Sequence, residues 1–180
     1  AALPAQGADA PLAKEAIVAR AWKAMFGERQ NKDIQSIYVE GHFHGRLAPS
    51  RIFVKRPNLF RNENEGGVLA FDGRRAAWVK REPDKDGSPR QPELIKPEQW
   101  RHFEVDIALV FPAFFDHPAE LQAIEKANGA DAYRLRVQLP LGGSVTYFVD
   151  CASFLVTRRL VDWDGDPAAE PWENLIAGYT

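Results

Sequence analysis

Near the start of the chain apolar residues recur at helical spacing. Val18, Ala21, Trp22 and Met25, joined by Phe26, form one stripe. Pro11 opens this stretch and Gly27 follows it, residues suited to the first turn of a helix and to the position after its last. A helix is therefore predicted from Pro11 to Phe26. From Gln35 the period falls to two: Ile37, Val39, Gly41 and Phe43 alternate with Tyr38, Glu40, His42 and His44. A Gly45–Pro49 turn, then Arg51–Arg56, Leu59–Asn64, Val68–Asp72 and Ala76–Arg81, with Gly66-Gly67 and Asp72-Gly73 at the turns, read as an antiparallel meander.

Glu82–Pro92 is a polar, proline-rich loop. Pro97 starts a second helical pattern in which Trp100, Phe103, Ile107 and Val110 share a stripe, and Pro112 stops it before the apolar run Ala113-Phe114-Phe115. Strands are expected again at Leu121–Lys126, Ala132–Leu139, Ser144–Asp150 and Phe154–Trp163. Tyr133, Leu135, Val137 and Leu139 alternate with Arg134, Arg136 and Gln138, which gives that strand one buried and one wet face. The economical arrangement is an α+β domain: one large curved antiparallel sheet, covered by the N-terminal helix and by the inserted helix. A helix with an aromatic stripe that interrupts a meander between proline-rich segments suits a movable lid, or a fixed piece of core. Residues 1–10 read as a flexible leader and residues 11–180 as a single domain.

Composition narrows the function. The 180 residues carry 23 Lys and Arg against 25 Asp and Glu, and the isoelectric point is about 6.1, so no basic footprint for nucleic acid is present. No apolar run has the length of a transmembrane helix. The single Cys151 excludes an internal disulfide and has no evident catalytic partner. His42 and His44 share a strand face, but no third ligand accompanies them, so no metal is expected. Asp162, Asp164 and Asp166 lack the glycine spacing and closing glutamate of a calcium loop. Asp72 and Asp150 occupy turn positions where aspartate is common. No enzyme and no cofactor is expected.

The run Val54-Lys55-Arg56-Pro57-Asn58-Leu59-Phe60, followed by Leu69-Ala70-Phe71-Asp72-Gly73 and Trp78, resembles the LolA/LolB-like periplasmic carriers of outer-membrane lipoproteins. Residues 131–135, 147–150 and 158–159 resemble the broader lipoprotein-sorting-like family, and the similarity covers residues 11–163, whereas residues 164–180 carry no motif of it. The resemblance implies a half-open β-barrel with an apolar interior for acyl chains, closed by a helical lid. It implies export to the periplasm, with inner- and outer-membrane lipoprotein-handling proteins as partners. It assigns Arg56 to hold the lid shut through backbone hydrogen bonds, and Phe60 to the apolar interior.

The residues themselves are compatible with that assignment. Ile52, Val54 and Arg56 alternate onto one strand face, which sets a five-donor guanidinium at the end of an apolar row. The candidate acyl-binding residues are Ile52, Val54, Phe60, Trp78, Trp100, Phe103, Ile107, Phe111, Phe114 and Phe115. The sequence-level reading is a periplasmic lipid- or lipoprotein-binding protein, with a lipid-responsive envelope-stress sensor or protein-interaction domain of the same fold as the alternative.

Overall fold

The computed structural model describes residues 12–41, 48–163 and 172–176. The predicted leader, His42, His44, and Asp164 and Asp166 lie outside the described residues. Helix α1 spans Lys14–Phe26 and stops where Gly27 takes φ +67°, a left-handed conformation that costs glycine little. Six strands then run in sequence order: β1 Ser36–Gly41, β2 Ser50–Lys55, β3 Leu59–Asn64, β4 Gly67–Phe71, β5 Ala76–Lys80 and β6 Glu93–Ile95. They form one antiparallel meander. The β4–β5 turn is held by the Asp72 carboxylate, which accepts the N–H groups of Arg74 and Arg75 at 2.8 and 2.6 Å. At the β3–β4 turn only glycine fits position 67: an added Cβ would lie 2.1 Å from the Val79 carbonyl oxygen.

A short 3-10 turn at Pro97–Gln99 leads into helix α2, Arg101–Val110, and a second one follows at Ala113–Phe115. The chain then builds β7 Ala119–Ala127, β8 Ala130–Gln138, β9 Ser144–Asp150, β10 Val156–Asp162 and β11 Trp172–Leu175. Their order in the sheet is β11-β10-β9-β8-β7, again antiparallel. The α+β class and the antiparallel pairing agree with the sequence-based expectation. The single large sheet does not: the strands form separate six- and five-stranded sheets, with α2 inserted in the chain between them. Strands β6 and β11 were not anticipated.

Helix α2 is buried on two sides. Its Trp100–Phe103–Ile107–Val110 stripe packs on the inner face of the first sheet, against Val54, Phe60, Phe71 and Ala76. Val105 and Ala108, on another side, join Leu135, Val137, Val145 and Tyr147 of the second sheet, and α1 covers the same cluster with Ile17 and Ala21. The outer face of the first sheet, by contrast, leaves Tyr38, Phe53 and Leu59 exposed.

The C-terminal end of α2 is tied to the second sheet by polar bonds inside that apolar cluster. The fully buried Tyr147 hydroxyl donates to the Ala108 carbonyl at 3.0 Å and accepts the Ala113 N–H at 2.8 Å. The Arg159 guanidinium donates to the Leu109 carbonyl. These contacts satisfy carbonyls at the end of a helix that has no further turn to bond them. Tyr147→Phe strands a buried carbonyl and a buried N–H together, and is expected to lower stability by about 2 kcal/mol in a urea titration.

Candidate functional site

Strand alternation places Ile52 and Val54 of β2, Phe60 of β3, Leu69 and Phe71 of β4, and Ala76 and Trp78 of β5 on one face of the first sheet. The register pairs Val54 with Phe60, Phe60 with Phe71, Phe71 with Ala76 and Leu69 with Trp78. Phe103 of α2 stacks on Phe71 with ring centroids 5.0 Å apart and meets Phe60 at 6.1 Å. Trp100 packs on Phe71 at 5.8 Å and donates its indole N–H to the Ile95 carbonyl at 3.0 Å. Seven of the ten candidate apolar residues, Ile52, Val54, Phe60, Trp100, Phe103, Ile107 and, at the C-cap of α2, Phe111, thus gather between the first sheet and α2 or at the helix's end.

The other three lie elsewhere. Trp78 is half-buried beside the β3–β4 turn, near Gly66. Phe114 is buried in the cluster of the second sheet, 5.0 Å from Tyr147. Phe115 meets Trp22 and Phe26 of α1 at 5.0 and 5.8 Å, and lines a separate hollow of about 360 Å³ with Trp22, Val18 and Phe114.

Arg56 ends the apolar row of β2 with its side chain only 14% exposed. Its Nε donates to Asp116 Oδ2 at 2.9 Å, and Nη2 pairs with Oδ1 of the same carboxylate. Its Nη1 donates to the carbonyls of Asn31 and Ile34, both at 2.7 Å, and the guanidinium lies 4.7 Å from the Phe111 ring centroid. The arginine therefore ties together the segment after α1, the strand β2 and the segment after α2. The bonds to α2's own carbonyls come from Tyr147 and Arg159. Neither was anticipated: Tyr147 reads as an alternating core residue of its strand, and Arg159 as part of a basic pair in the last predicted strand.

Beside the Arg56–Asp116 pair lies a cavity of about 260 Å³. Phe71, Ile107, Ala108, Phe111, Ala113 and Leu139 supply its apolar wall; Asn58, Glu104, Asp116 and His117 supply its polar groups. It is thus bounded by the β2–β3 and β4–β5 turns, by α2, and by the β8–β9 turn. Burial raises the Glu104 carboxyl above the usual carboxylate range, against the opposing effects of the Leu141 N–H and of His117. Leu141 N–H donates to Glu104 Oε2 at 2.6 Å, which fastens α2 to the β8–β9 turn.

A second unusual carboxyl sits on α2. Asp106 is three residues from Phe103 and four from Val110, on the stripe that packs against the first sheet. Loss of water around it raises its pKa from 3.8 to about 6, and it has no hydrogen bond or ion pair among the described residues. The same sheet carries another unpaired polar atom, the buried Asn62 Oδ1 on β3. Among the described residues no three His, Cys, Asp or Glu side chains come together to hold a metal ion. Cys151 is half-buried beside Tyr133, and burial raises its thiol above the ordinary range. Among the described residues no helix is long and apolar enough to cross a membrane.

Comparison of the sequence with protein-family models gives no match, and no curated protein matches it.

Proposed function

We propose that this chain is a periplasmic lipid- or lipoprotein-binding protein that takes acyl chains into the apolar cavity beside α2, in the traffic of lipoproteins to the outer membrane. The observation that carries the reading is that cavity, walled by Phe71, Ile107, Phe111 and Leu139 and bordered by the Arg56–Asp116 pair. The motif around Arg56 and Phe60 supports it, since it sets the arginine at the end of an apolar row. In this reading the two sheets form the half-open barrel, and α2 with the segment after it forms the lid.

The energetics suit an acyl ligand. Each methylene withdrawn from water contributes about 0.8 kcal/mol, so a chain needs little polar recognition to bind. At about 260 Å³ the cavity lies below the usual span of about 300 to 1,000 Å³ for small-molecule sites, so in this reading a long chain must widen it. Widening moves α2 off the Phe60–Phe71 surface. That movement breaks the apolar packing of Trp100, Phe103 and Ile107 on the first sheet and strains the Arg56–Asp116 pair between β2 and the segment after α2, while Glu104–Leu141, Tyr147 and Arg159 keep the helix on the second sheet.

A titration with a fluorescent acyl-chain analogue that carries a neutral headgroup, followed by displacement with a triacylated lipopeptide, tests the reading. Saturable binding that the lipopeptide reverses is expected. Absence of saturable binding to protein whose helices are folded by circular dichroism would mean that the interior stays packed, and would overturn it.

A further inference from the structure

The polar groups around the cavity differ in how far their charge is already spent. Asp116 gives both carboxylate oxygens to the Arg56 guanidinium, and that guanidinium fills its remaining contacts with the Asn31 and Ile34 carbonyls. Glu104 has no lysine or arginine bonded to it, and His117 is the charged or titratable neighbour that acts on it. One of its oxygens accepts the Leu141 N–H, and no described residue bonds the other. No lysine or arginine is among the residues lining the cavity; its charged or titratable groups are Glu104, Asp116 and His117. A carboxylate at the edge of an apolar cavity, partly stripped of water and with no cation bonded to it, is costly alone and favourable once a cation reaches it.

From this arrangement we propose that the ligand of this cavity is an amphiphile whose aliphatic chain carries an ammonium group, with the chain against Phe71, Ile107 and Phe111 and the ammonium on Glu104. The inference rests on the acyl-binding reading and adds the headgroup class to it. An anionic headgroup faces the opposite situation: it would meet Glu104 and would have to expel Asp116 from a two-pronged bond to reach Arg56. A neutral alcohol gains the apolar contact alone.

Three probes with one tail, decylamine, decanol and decanoate, separate these cases by calorimetric titration near neutral pH. Decylamine is expected to bind about tenfold or more tighter than decanol, the worth of a hydrogen bond to a charged group, with decanoate the weakest. In Glu104→Gln the amide oxygen still accepts the Leu141 N–H. That variant is expected to lose the preference for the amine, read as the ratio of its decylamine and decanol affinities, which falls to about one. Decanol and decylamine binding equally, or a preference for the amine that survives Glu104→Gln, would overturn the proposal and leave the acyl-binding reading standing. Failure of all three to bind would overturn the acyl-binding reading itself, and the headgroup proposal with it.

A decanoyl lysophosphatidylethanolamine and an S-decyl cysteine dipeptide with a free amino group separate two sources of such an ammonium, a lipid headgroup and an acylated peptide terminus. Glu104-dependent binding of either upholds the proposal; binding of both that ignores Glu104 overturns it.

Discussion

Asp106→Asn is expected to make the protein more stable near neutral pH by roughly 2 to 3 kcal/mol, since about two pH units separate the folded and unfolded pKa of this carboxyl at about 1.4 kcal/mol each. The cause is the absence of a partner: the carboxyl lies on the packed stripe of α2, largely desolvated, with no bond among the described residues. Its folded pKa, about 6, is above the ordinary 3.8 of an aspartate, so folding favours the protonated form. Below about pH 4 the carboxyl is neutral in both states and carries no penalty; the penalty grows as pH rises and is complete above the folded pKa. Wild type and Asp106→Asn should therefore unfold at similar urea concentrations near pH 4 and diverge by pH 7, the variant being the more stable. Asp72 and Asp150, whose carboxyls are lowered chiefly by backbone N–H groups of their turns, lose stability as pH falls, but they are common to both proteins and cancel in the difference. Parallel profiles at all pH values would show that Asp106 is solvated or paired.

Arg56→Leu is expected to cost about 3 kcal/mol, the usual loss when one partner of a largely buried ion pair is removed. The substitution leaves Asp116, whose side chain is 22% exposed, without its cation, and frees the Asn31 and Ile34 carbonyls. Arg56→Lys should recover part of the loss, because an ammonium keeps the charge but lacks the fork that reaches Asp116 and both carbonyls together. The same variants read the lid: a bound fluorescent acyl probe should leave Arg56→Leu faster than wild type, as the segment after α2 is no longer tied to β2. Unchanged urea stability and unchanged release in Arg56→Leu would remove the arginine from any closing role.

Much of this arrangement is written in local pattern. The strand limits Leu59–Asn64 and Ser144–Asp150 coincide with those expected from alternation and turn residues, because short hairpins are fixed by neighbours in sequence. The Trp100–Phe103–Ile107–Val110 stripe packs as its spacing requires. What escaped was non-local or too short to have a period. Strand β6 has three residues after a proline-rich loop, too few to show alternation. The division into two sheets depends on which distant strands pair, and nothing in the hairpins themselves decides it. Tyr147 and Arg159 bond backbone groups 39 and 50 positions away, and a carbonyl's need for a donor leaves no mark on the side chain opposite it. Asp106 did leave one. It stands at helical spacing from Phe103 and Val110, but a stripe read by its apolar members alone passes over it, as it passes over Glu104.

For the candidate site, the sequence placed Arg56 at the end of the Ile52–Val54 row and named Ile107 and Phe111 of the cavity wall, whereas Ile52, Val54, Phe60, Trp100 and Phe103 pack between the first sheet and α2 without lining the cavity. It mixed them with Phe114 and Phe115, which pack toward the second sheet and α1, because a run of adjacent aromatics after a proline does not reveal which way each one turns.

The most direct measurement is of contacts between a bound aliphatic chain and the protein, by nuclear Overhauser effects from a carbon-13-labelled decyl chain. An acyl site beside α2 requires contacts to Phe71, Ile107 and Phe111, the residues that wall the cavity. Contacts confined to the exposed Tyr38, Phe53 and Leu59 on the outer face of the first sheet would contradict it, for they would show a chain adhering to the surface of a protein whose interior stays closed.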